Sequence, residues 1–142
     1  MAESPWNQTP AAVPPPPASP PAPLRIGVRT AAELQQLADD AAAPEPRVVM
    51  FCSLDDVALE GIIATARWLL GQRNTSPISR EIDDFPRTEE ALGREAARAD
   101  DAIWGRGPYT DLHEDYAAAV RHTLWWVRGL PNTQRPVAER RA

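Results

Sequence analysis

The run Leu54–Gly71, LDDVALEGIIATARWLLG, decides how the rest of the chain is read. At about 100° per residue, Leu54, Val57, Gly61 and Trp68 fall on one side, Ala58, Ile62 and Leu69 beside them, and Leu59, Ile63, Ala66 and Leu70 beyond. Only a narrow stripe of Asp56, Glu60 and Arg67 is left for water. A helix apolar over most of its circumference is a central one that other helices must cover. The expected fold class is therefore mainly α, a three- to four-helix bundle around this central apolar helix, with room for one or two short strands.

Ser53 and Asp56 have capping-box spacing ahead of the run, and Gly71 suits a left-handed position after it. Just upstream, Arg47–Cys52, RVVMFC, is too short and too evenly apolar for periodicity to separate strand from helix. Earlier still, Thr30 and Glu33 have capping-box spacing at the head of TAAELQQLADDAAA, where Leu34, Leu37 and Ala41 make a thin apolar edge. Pro44 and Pro46 end that helix. Before it, Leu24–Arg29, LRIGVR, alternates as a half-buried strand or an extended lead-in would.

Downstream, residues 72–87 are polar, hold Pro77 and Pro86, and read as a long connection, a length at which loops tend to be functional or mobile. Thr88 can cap TEEALGREAARADDAIWGRG, with Leu92, Ala96, Ala99 and Ile103 along one side and an ordinary ion pair between Glu95 and Arg98. Thr110 opens TDLHEDYAAAVRHTLWWVRG, which Gly129 and Pro131 close. No internal repeat is visible.

Residues 1–23 carry nine of the 16 prolines, including Pro14–Pro17 in a row, and almost nothing to bury. Proline lacks an amide donor and fixes φ, so a disordered, partly PPII, proline-rich arm is expected, either a spacer or a ligand anchored by Trp6. The organisation expected is this arm, a single helical domain over 24–131, and a flexible tail over 132–142.

The 142 residues include 15 basic and 20 acidic ones, a net charge of -5, which disfavours a protein built to neutralise phosphates. Every basic residue is arginine, so chemistry that needs a lysine, in a phosphate loop or a Schiff base, is excluded. Cys52 is the single cysteine, which rules out an internal disulfide, and in VVMFCSL it reads as a small buried hydrophobe. The opening MAESPWNQTP has an acid where a signal peptide has basic residues, and no stretch reaches the roughly 18 apolar residues of a membrane span. A soluble, cytoplasmic chain without a membrane partner is expected.

Leu112, Tyr116, Ala119, Val120, Thr123, Trp126, Val127 and Leu130 share one broad face of the last helix. Trp125 lies off that face beside Arg121 and His122, the composition of an interface anchor. It would equally suit a residue packed beneath the arm or the long loop. The leading expectation is a non-enzymatic interaction or adaptor protein, without a cofactor, presenting Trp125, Arg121 and His122 to a protein partner or to a second copy.

An alternative from another class is a magnesium- or manganese-dependent all-α hydrolase of nucleotides or phosphate esters. Asp56 and Glu60 at i, i+4, with Asp100 and Asp101, would supply the oxygen ligands such a metal needs. The paired ExxE and ExxD signature of all-α nucleotide pyrophosphatases is missing. His113 and His122 are nine residues apart, on nearly opposite faces, and cannot share a metal. A weaker alternative is a DNA-associated regulator using Arg87, Arg94 and Arg98, a stripe diluted by Glu89, Glu90 and Glu95, so nucleic acid is the less favoured partner.

Overall fold

A computed structural model describes residues 25–44, 56–82 and 84–139. The expected arm, the run 47–52 and the Ser53 cap lie outside these described residues. Among the described residues the fold is mainly helical, with four helices and one short antiparallel pair of strands: β1 Arg25–Ile26, β2 Arg29–Thr30, α1 Ala31–Ala42, α2 Asp56–Leu69, α3 Glu89–Ile103 and α4 Glu114–Arg128. Packing runs from α1 to α2, from α2 to α4, and from α4 to α3.

The apolar run forms α2, and Asp56, Glu60 and Arg67 are its exposed stripe. Gly71 follows at φ 76°, a left-handed conformation that favours glycine. Ala58, Ile62, Trp68 and Leu69 are fully buried. Gly61 marks where α2 meets α4, because a Cβ there would stand 2.7 Å from the Tyr116 carbonyl oxygen and 3.0 Å from the Ala119 Cβ. On an open helix surface Gly→Ala stabilises by about 0.5–1 kcal/mol. At this crossing the sign reverses: Gly61→Ala should lower stability by about 1–3 kcal/mol, because the two backbones must separate. Urea unfolding reads the difference.

Thr30 caps α1, its hydroxyl accepting from the Glu33 amide and Glu33 reaching back to the Thr30 amide. The same residue ends a hairpin in which Arg25 pairs with Thr30 and Ile26 with Arg29. The hairpin serves α4, whose last carbonyls have no partners within the helix. Val28 donates its amide to the Val127 carbonyl at 2.9 Å, and Arg29 donates Nε to the Trp126 carbonyl at 3.1 Å while its guanidinium lies 4.0 Å from the Trp126 ring centroid.

Two boundaries differ from the sequence reading. α4 begins at Glu114, four residues after Thr110, because the His113 ring takes the capping role and its Nδ1 accepts from the Asp115 amide at 3.0 Å. The stretch after Pro131 returns to the helices between Gln134 and Val137. Arg135 bonds Asp40 of α1 at 2.6 Å, the Gln134 carbonyl meets His122 of α4 at 2.8 Å, and Val137 is fully buried.

Candidate interaction surface

Positions 121, 125 and 128 form one stripe of α4 at helical spacing. Arg121 bonds Asp100 of α3 at 2.6 Å, and Arg128 bonds Glu89 of α3 at 2.7 Å. The Arg128 guanidinium also covers Gly93, with Nη2 3.4 Å from where a Cβ would stand. Trp125 therefore sits on the stripe that α4 turns to α3, between two ion pairs. It is half-buried against the core, and the Arg121 guanidinium lies 4.5 Å from its ring centroid. Trp125, for which an open and a packed setting were both expected, is partly covered on this side of the helix. The reason is that α4 has neighbours on two sides, so its buried arc also takes in Ala117 and Leu124.

His122 faces the other way, toward the tail. Its Nε2 is 2.8 Å from the Gln134 carbonyl oxygen, which can only accept, so this nitrogen carries the proton. Burial pushes the His122 pKa below its ordinary value, the carbonyl opposes that shift, and the Arg121 charge adds to it. Well above the ordinary value of about 6.5 the ring is neutral in both folded and unfolded chains and contributes no pH dependence. As pH falls below that value the unfolded chain takes up the proton more readily, so stability drops. His122→Gln removes this component, and its urea midpoint should fall less than that of the parent between pH 7.5 and pH 5.5.

The carboxylates considered for a metal are not brought together. Asp100 and Asp101 end α3, where Arg106 bonds them at 3.1 and 3.4 Å and Arg121 takes the other oxygen of Asp100. Asp56 and Glu60 instead edge an 830 Å³ groove between α1 and α2, alongside Leu59, Ile63, Arg67 and Arg73. Among the described residues no group of three or more His, Cys, Asp or Glu side chains could hold a metal ion. The arginine stripe considered for DNA is also broken up. Arg87 is buried, 5.3 Å from the Trp68 ring centroid, and Arg98 bonds Glu81 at 3.0 Å, which raises its pKa.

Sequence reasoning missed the large apolar side chains that stand open to solvent among the described residues. Trp104 is 68% exposed and Ile82 is 80% exposed, with Phe85 and Val28 about half exposed. Trp104 is the C-cap of α3, its amide donating to the Asp100 carbonyl at 3.2 Å, and Gly105 and Gly107 follow with φ of 66° and 74°. The helical wheel carried a signal for it, since Trp104 lies 100° round from Ile103, away from the Leu92, Ala96 and Ala99 edge. The neighbouring turn is tied to the long connection by Arg80 and Asp111 at 3.0 Å.

That connection is organised around Glu95. The carboxylate is 2% exposed and accepts from the Ile78 amide at 3.1 Å, the Ser79 amide at 2.8 Å and the Ser79 hydroxyl at 2.8 Å. The ordinary Glu95–Arg98 pair expected from spacing gives way to these bonds, and Arg98 turns to Glu81. Tyr116 adds a second tie, donating its hydroxyl to the Pro77 carbonyl at 3.0 Å, and burial raises its pKa.

No protein-family model, curated protein or solved structure matches this chain. No helix among the described residues is long and apolar enough to cross a membrane.

Proposed function

We propose that this chain is a non-enzymatic interaction protein, a bundle of its four helices that presents an aromatic, arginine-bearing surface to a protein partner or to a second copy. Trp104 is the observation that carries this reading. Tryptophan side chains bury about 150–250 Å² each, so at about 25 cal/mol per Å² the exposed two-thirds of this one leaves roughly 2.5–4 kcal/mol to be gained on contact. Tryptophan and arginine dominate interface hot spots, and Arg106 lies two residues on, held to Asp100 and Asp101.

In this reading the contact surface moves from the last helix to the end of α3. The Arg121–Asp100 and Arg128–Glu89 bonds tie α3 to α4, the helix pair from whose end Trp104 projects. The test is photo-crosslinking with the reactive group at position 104, in extract from the source cells and in the purified chain, with position 97 on the exposed side of α3 as control. A discrete adduct from 104 alone is expected. Equal labelling from both positions, or none from 104, overturns the reading.

A further inference from the structure

The tail occupies its seat in the way a short peptide ligand would. Between Gln134 and Val137 it is gripped by α4 through a main-chain carbonyl, by α1 through Arg135, and by the core through Val137. The Arg135 guanidinium bonds an Asp40 carboxylate only 3% exposed, whose other oxygen accepts from Gln36 Nε2 at 2.9 Å. Arg135 also donates to the Val137 carbonyl, bending the segment so that arginine and valine enter together. A cavity of about 430 Å³ stays open beside it, bounded by Gln36, Trp126 and Arg135.

A carboxylate buried on a helix face, with its counter-charge 95 residues away, is a weak way to add stability, since the desolvation cost offsets most of the attraction. What such a carboxylate does well is select an arginine-bearing segment over others. The segment leaves α4 through a sharp turn, with Gly129 at φ 72° and Asn132 at φ 61° on either side of Pro131, so that it reaches the seat from outside the helix. These are the features of an occupant that can be exchanged.

We propose that the seat between α1 and α4 is a binding site for a short bent peptide bearing arginine two residues before valine, and that residues 134–137 occupy it in cis. The tail's tether gives it an effective concentration on the order of millimolar, so it excludes a competing peptide while intact. Asp40 reads the arginine, the core pocket reads the valine, and His122 fixes the chain direction through the carbonyl before the arginine. This site is separate from Trp104, and its test is independent of that surface.

The test weakens the tail and supplies it in trans. A fluorescein-labelled peptide spanning Thr133–Glu139 is titrated by anisotropy into the full-length chain carrying Arg135→Ala and Val137→Ser, and into the parent. Binding at least tenfold tighter to the variant is expected, and it should be lost with the peptide's own Arg135→Ala or with Asp40→Asn added to the chain. A variant with native circular dichroism that binds the peptide no better than the parent overturns the proposal. So does equal binding of the arginine-free peptide. If the double variant does not fold, the same titration on Arg135→Ala alone carries the same two outcomes.

Discussion

Glu95→Ala should destabilise the chain by about 3 kcal/mol or more, the largest loss expected of any single polar side chain here. The carboxylate is enclosed, and its three donors, two amides and a hydroxyl, come from one turn of the 72–87 connection. Truncation leaves these donors facing an apolar hole, at about 1–3 kcal/mol for each that stays buried. Glu95→Gln keeps the volume and one acceptor oxygen but turns an amide NH2 toward a donor, so an intermediate loss is expected. Urea unfolding of the three chains gives the order. Hydrogen exchange supplies the local check, because the Ile78 and Ser79 amides should lose protection first.

Asp40→Ala comes next, at about 2–4 kcal/mol, by a different route. Removing one partner of a largely buried pair strands the other, and Arg135 keeps little access to water where it sits. Gln36 loses its acceptor at the same time. The double variant Asp40→Ala with Arg135→Ala should cost clearly less than the sum of the two single changes, because the stranded charge is gone. Additive losses in urea unfolding would mean that the two side chains do not act as a pair.

Much of the helical framework was legible because its signals are local. The Thr30 and Glu33 box, the Leu34 and Leu37 edge and the Asp56, Glu60 and Arg67 stripe depend only on spacing within one helix, and each is found as spaced. Glu95 was not legible: at i, i+3 from Arg98 it looks like half of a surface pair, and it becomes a buried acceptor only when residues 78 and 79 fold onto it. Trp125 kept two settings, open or packed, because the side from which a second helix approaches α4 is not written in the spacing of α4 itself, and α2 and α3 both pack on it. The tail was unreadable because Arg135 and Val137 show no period, and the carboxylate that seats them lies in α1. At His113 an imidazole does what a threonine three residues earlier was expected to do, and no spacing rule separates the two.

Which tryptophan is available to a partner is the central point, and thermal unfolding of Trp104→Ala beside Trp125→Ala tests it most directly. Trp104 touches solvent over most of its surface, so its removal should change stability by no more than about 0.5 kcal/mol. Trp125 is half-buried against the core beneath Arg121, so its truncation should cost about 2 kcal/mol, below the 3–5 kcal/mol of a fully buried tryptophan. Melting temperatures with Trp104→Ala near the parent and Trp125→Ala several degrees lower are the expected result. The reverse order would contradict it, placing Trp104 in the packing and leaving the Trp125 side of α4 as the free surface.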